Sequence, residues 1–259
     1  MATGKRIAVS LVAMLAVGAA AAQEENSETI KIYAAAAVKT SLTAIAAEFE
    51  NATGNRVDVV FDSAGATRQK FLADPDADLL ITSPVQIAQA QEQGGLGDGT
   101  SRVLGSTVAG IAVPPGTPKP DVSNADNLRA ALLAAQRIAF SDPARGATVG
   151  NHFMTVIEAL GVKDQVLAKA VLAPNGIETM RLVLEDGVDI GITQTSEILQ
   201  ANRDALAGPF PKEFELATAY ALWHRNELSP AVSDFVAVLR SPAARATLEE
   251  EGLVPPDAE

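Results

Sequence analysis

The stretch from Ile30 to Gly54, IKIYAAAAVKTSLTAIAAEFENATG, constrains the fold more than any other, because an apolar strand runs through small residues straight into an amphipathic helix. Leu42, Ile45, Ala46 and Phe49 fall at i, i+3, i+4 and i+7, which places one apolar stripe on a helix, and Gly54 stands where that helix stops. The helix therefore begins just after Ala34 to Ala37. Residues this small let a ligand reach the backbone, and the unpaired N–H groups of a first helical turn attract anions. This is a binding signature before it is a catalytic one.

The same alternation continues. Strand Arg56 to Phe61 is broken at Asp62-Ser63-Ala64-Gly65, and Ser63 caps a second helix. Asp78 to Thr82 reads as a short buried strand, and Ser83-Pro84 opens the helix Val85 to Gln93. A strand over Thr107 to Pro114 closes this series, and the Pro-dense segment 114–120 marks a domain edge or crossover. A second series follows: helix Ala125 to Gln136, strand Arg137 to Phe140, loop Ser141 to Thr148, and a helix carrying Phe153, Ile157 and Leu160. Helix Ile177 to Glu185 and strand Val188 to Thr193 complete it. A strand within Glu213 to Trp223 and two helices opening on Ser229-Pro230 and Ser241-Pro242 end the chain. Strands alternating with helices in two runs predict an α/β protein of two lobes.

With 259 residues and 47% hydrophobic composition, the chain has enough apolar material for one large core or two modest ones. Residues 1–22 read as a secretory signal peptide, with Lys5 and Arg6 before the apolar run Ile7 to Ala16 and small residues Ala20 to Ala22 before Gln23. A buried or membrane-anchoring helix is the alternative, although the run is short for a span. Losing Lys5 and Arg6 moves the formal charge from −12 to −14, since no acid lies in that segment. Such acidity argues against nucleic acid as a partner, but a local nest of N–H groups or one arginine still holds a small anion. Cysteine is absent, which excludes disulfides, thiolate metal sites and cysteine nucleophiles.

Enzymatic and metal motifs thin out on inspection. No Gly-x-Ser-x-Gly elbow is present, and His152 and His224 lack partners at telling spacings. Asp74, Asp76 and Asp78 imitate the start of a calcium loop, yet Leu79 replaces its glycine and Val85 its last glutamate. Gly94 to Gly99 follows a helix, the reverse of a dinucleotide loop's context. What remains is three loops at strand C-terminal ends, Ala36 to Thr40, Ser63 to Thr67 and Ser141 to Thr148, each feeding a helix. In open α/β sheets the ligand crevice lies outside such ends, and Arg145 adds a cationic contact there.

Six segments in order carry a family resemblance: AAAAVKTSLTAIAAEFENATG, VVFDSAGATRQKF, ADLLITSP, IAFSDPARGATVGNHFMTVIEALG, VLAPNGIETMRLVLEDGVDIGIT and SPAARATLEEEGL. Together they resemble the periplasmic molybdate-binding solute-binding proteins of ABC importers. The resemblance implies a two-lobed type II periplasmic binding protein fold, each lobe a mainly parallel sheet flanked by helices, closing at a hinge. It places one lobe at 27–107 and 225–257 and the other at 108–224. It further implies a non-catalytic, monomeric periplasmic protein without metal or cofactor, delivering a small anionic solute to a membrane permease. Two alternatives stand beside this: a periplasmic sensor acting on a membrane receptor, and an enzyme on the same scaffold.

The departures from that family redirect the ligand. Ala37 and Ala64 stand where its oxyanion-binding serines belong, Gln194 replaces a tyrosine, and Thr148 replaces a small residue. Each neutral donor lost from a dry oxyanion cavity costs about 1–3 kcal/mol. The expected contacts are therefore Ala37, Val38, Lys39, Ser63, Ala64, Gly65, Thr67, Arg145, Thr148, Ile177 and Gln194. The expected ligand is a small anion other than molybdate, or a small organic carboxylate.

Overall fold

The computed structural model describes residues 27–256; the expected signal peptide lies outside them, as do residues 257–259. The first βα series is β1 (Thr29–Ala35), a single 3-10 turn (Ala36–Val38), α1 (Lys39–Thr53), β2 (Arg56–Asp62), α2 (Ala64–Ala73), β3 (Leu79–Thr82) and α3 (Pro84–Glu92). The long strand β4 (Gly99–Ala112) leads to α4 (Ala125–Ala134), β5 (Ile138–Ser141), α5 (Thr148–Ala159), α6 (Lys163–Leu167), β6 (Ala170–Ala173), α7 (Gly176–Glu185) and β7 (Ile190–Gln194). The chain ends through α8 (Thr195–Ala201), β8 (Leu206–Pro209), β9 (Ala217–Arg225), α9 (Pro230–Leu239) and α10 (Pro242–Glu250).

The strands form a continuous path, β2-β1-β3-β9-β4-β7-β5-β6, with β8 paired to β4. β1 runs parallel to β2 and β3, and β5 runs parallel to β6 and β7, as βαβ crossovers require. The two parallel groups are joined by antiparallel β9 and β4. β4 serves both: residues 99–108 pair with β9, while Ala109 to Ala112 pair with β7. The passage between the halves is thus a strand, upstream of the Pro-rich segment 114–120.

Each half has its own apolar centre. In the first, the α1 stripe of Leu42, Ile45, Ala46 and Phe49 packs on Ile30 and Ile32 and on Val232, Phe235, Val236 and Leu239 of α9. The rings of Phe49 and Phe235 meet edge-on with centroids 5.1 Å apart, so the C-terminal helix closes the N-terminal core. Tyr220 and Leu222 of β9 belong to the same cluster. In the second half, Phe140 and Phe153 meet edge-on at 5.0 Å amid Leu128, Leu132, Val156 and Ile157.

Four elements differ from the sequence expectation. β4 begins at Gly99 rather than Thr107, because Thr100, Ser101 and Arg102 are exposed and offer no apolar alternation. β6 and β8 have only four residues each and no fully buried run, and α8 has seven. Such short elements are fixed by neighbouring strands and helices, not by their own periodicity. No helix among the described residues is long and apolar enough to cross a membrane.

Candidate ligand cleft

The C-terminal ends of β1, β2, β5 and β7 converge, and the segments leaving them line a cavity of about 20 Å³. That is room for roughly one water molecule. Ala35, Ala36 and Ala64 form one wall and Ala147, Thr148 and Gly176 the other, with Ser63, Gln194, Glu197 and Tyr220 supplying polar groups. Local chemistry sets each loop. Ser63 caps α2, accepting from the Ala66 N–H at 3.4 Å, and Asn175 caps α7, accepting from Glu178 at 3.0 Å. Two hydroxyls pin the α2 start to the sheet: Thr67 donates to the Ala34 carbonyl at 3.2 Å and Thr82 to the Ala64 carbonyl at 2.9 Å.

The halves touch across this cleft. Gly65 N–H donates to the Gly146 carbonyl at 3.2 Å, and Ser63 Oγ donates to the Arg145 carbonyl at 3.1 Å. Arg145 Nη2 reaches Asp62 Oδ2 at 3.1 Å, while its Nε donates to the Pro174 carbonyl at 3.2 Å. On the far side, Gln200 Nε2 donates to the Ala37 carbonyl at 2.7 Å and Gln200 Oε1 accepts from Thr40 N–H at 3.2 Å. These contacts hold the two halves together across the cleft.

Two carboxyl groups border the cavity and behave oppositely. Burial pushes Asp62 upward, but the hydrogen bond from Lys70, the Ser63 N–H and the charges of Lys70 and Arg145 outweigh it and hold it below the ordinary carboxylate value. Lys70 Nζ lies 2.8 Å from its Oδ2. Glu197 is buried, and burial raises its carboxyl despite hydrogen bonds from Thr193 Oγ1 and from Gln194 N–H at 3.1 Å. It stands against the start of α7, where a β-carbon on Gly176 would fall 2.0 Å from Oε2. A larger residue there would push the Glu197 carboxyl aside. Burial also raises the Tyr220 phenol, whose oxygen accepts from Gln194 Nε2 at 3.2 Å.

Of the expected contacts, Ser63, Ala64, Thr148 and Gln194 line this cavity. Gly65 and Arg145 lie at the closing contacts beside it. Ala37 is buried in the 3-10 turn with its carbonyl engaged by Gln200, and Val38 packs into the first core. Thr67 spends its hydroxyl on Ala34. Lys39 and Ile177 line a neighbouring cavity of about 240 Å³ with Thr40, Arg181 and Gln200, and Glu197 borders both spaces.

Sequence reasoning passed over Asp62, Glu197 and Tyr220. Glu197 carried a readable signal, since it stands three residues after Gln194 at a helix start, the spacing of a capping pair. Tyr220 carried none, because β9 reaches the cleft only through the sheet. The histidines lie elsewhere: His152 Nε2 bonds the Phe214 carbonyl at 2.8 Å, and His224 Nδ1 the Arg225 carbonyl at 2.8 Å. Among the described residues, no three His, Cys, Asp or Glu side chains group as a metal site would need.

Comparison with known proteins agrees with this architecture. The chain is 24% identical over 239 residues to an aconitate isomerase of a Pseudomonas species, covering 89% of each. Among solved structures it is similar to the periplasmic molybdate-binding protein of Azotobacter vinelandii, with a TM-score of 0.69 and 18% identity over 88% of this chain and 100% of that one. It is also similar to the sulfate-binding protein SubI of Mycobacterium tuberculosis, with a TM-score of 0.67 and 15% identity over 89% of this chain and 88% of that one. The bacterial extracellular solute-binding protein family model matches residues 30–254, almost the whole described fold, and the chain belongs to that family.

Proposed function

We propose that this protein is exported to the periplasm, binds a small organic carboxylate in the cleft, and presents it to the membrane permease of an ABC importer. The observation that carries this reading is the cleft itself: helix starts from both halves converge on a cavity walled by Ala35, Ala36, Ala64 and Ala147. Main-chain N–H groups at such starts favour an anion. The alanine walls leave apolar surface for the hydrocarbon part of an organic acid, which a bare tetrahedral oxyanion does not have. Glu197 also borders a separate cavity of about 240 Å³, and in this reading the two spaces join to admit the ligand when the halves part. In this reading the two halves act as lobes that part and close along β4 and β9, and the protein works as a monomer.

A second reading follows from one observation, that a relative matched over most of both chains is named an aconitate isomerase. On that reading the bound carboxylate is turned over in the cleft. Incubation with cis- and trans-aconitate in heavy water separates the two: isomerisation or deuterium uptake seen by NMR favours the enzyme, and unchanged ligand favours the carrier. Binding is tested by thermal shift against a panel of carboxylates and oxyanions. A ligand at about 100 times its Kd adds about 2.7 kcal/mol of stability, which a melt resolves.

A further inference from the structure

We propose that Glu197 meets the ligand as a neutral carboxylic acid, donating a hydrogen bond to the anion and making anion binding depend on that proton. The inference rests on the anion-binding reading above and deepens it. Glu197 borders the cleft cavity, yet among the described residues it forms no ion pair. Its Oε2 accepts from both Thr193 Oγ1 and Gln194 N–H, which leaves Oε1 to carry the proton. An ionised carboxylate here, with no cation paired to it among the described residues, would repel an incoming anion. A protonated one presents an O–H donor.

The surroundings favour the neutral form. Asp62 of β2 lines the same cavity, and its charge is already matched by Lys70 and Arg145. Tyr220 of β9 also lines it as a neutral phenol. On the other side, Lys39 of α1 and Arg181 and Glu185 of α7 line the neighbouring cavity. Arg181 is committed to Glu178, Glu185 and Asp186. Burial raises the Glu197 carboxyl in the same sense. Of the cavity's other hydroxyls, Ser63 donates to Arg145 and Thr193 to Glu197, while Tyr220 accepts from Gln194 and keeps its own proton. An acid proton on Glu197 adds a donor beside Thr148 and Tyr220, which line the same cavity.

The test is titration calorimetry of the mature protein with trans-aconitate and with sulfate at about pH 6.5 and about pH 8.5, each in two buffers of different ionisation enthalpy. Sulfate keeps its charge over this range. The wild type is expected to bind about tenfold or more weakly at the higher pH and to take up a proton on binding there. Glu197→Gln, whose amide remains a neutral donor, is expected to bind with little pH dependence and no proton uptake. Equal wild-type affinity at both pH values without proton uptake overturns the inference and leaves the anion reading standing. Wild-type pH dependence retained in Glu197→Gln does the same. Failure of every anion to bind at either pH overturns both.

Discussion

Gly65 and Gly146 meet backbone to backbone across the cleft: a β-carbon on Gly65 would lie 2.7 Å from Gly146 Cα and 2.8 Å from the Arg145 carbonyl oxygen. Gly146 also needs its missing side chain for conformation, since its φ is 72° at the end of the turn Pro143–Arg145. Neither backbone can retreat without opening the lobes. Gly65→Val is therefore expected to hold the cleft open while leaving both cores intact. Its ligand affinity should fall at least about tenfold, with a larger radius of gyration in small-angle scattering in the presence of ligand. An unchanged affinity would show that this contact does not belong to the bound state.

Asp62 is expected to stabilise the closed cleft through charge. Lys70 and Arg145 remain 45% and 41% exposed, so solvent screening limits the loss in Asp62→Asn to about 1–2 kcal/mol. Because its folded value is depressed, this contribution is present above its ordinary value of 3.8 and is lost as pH falls through the lowered one. Urea unfolding should show the wild type losing its advantage over Asp62→Asn in acid.

Glu197 should give the opposite slope. Its folded value is raised, so ionisation costs folding stability as pH rises past the ordinary 4.5. Glu197→Gln removes that titration. Ligand-free unfolding at about pH 5 and about pH 8 should show the variant gaining on the wild type at the higher pH. A constant difference would mean the carboxyl is not desolvated in the folded state.

Thr67 separates scaffold from site. Its hydroxyl is buried on the Ala34 carbonyl, so Thr67→Val is expected to lose about 1 kcal/mol of stability. Ligand affinity should stay within about twofold of wild type. A selective loss of affinity at unchanged stability would instead place the hydroxyl on the ligand.

Local features were readable in the sequence where a single element's chemistry decides them. The α1 stripe of Leu42, Ile45 and Phe49 and the serine caps at Ser63, Ser229 and Ser241 follow from helix periodicity and orphaned N–H groups, and the structure shows each of them. Which side chains share the cavity was less readable. Ala36 and Ala37 are neighbours in a run of alanines, and only the 3-10 turn decides that Ala36 lines the space while Ala37 offers its carbonyl to Gln200. Tyr220 joins the cleft because β9 lies between β3 and β4, a placement set by pairing across the whole chain. Glu197 was visible as a cap, but its desolvation depends on Gly176 leaving space at the start of α7.

Calorimetry of the mature protein with trans-aconitate, citrate and molybdate decides whether the cleft takes a small organic carboxylate. At least one carboxylate is expected to bind at least about tenfold more tightly than molybdate, and Gly65→Val to weaken it. Tight binding of molybdate with no detectable binding of either carboxylate would contradict that expectation.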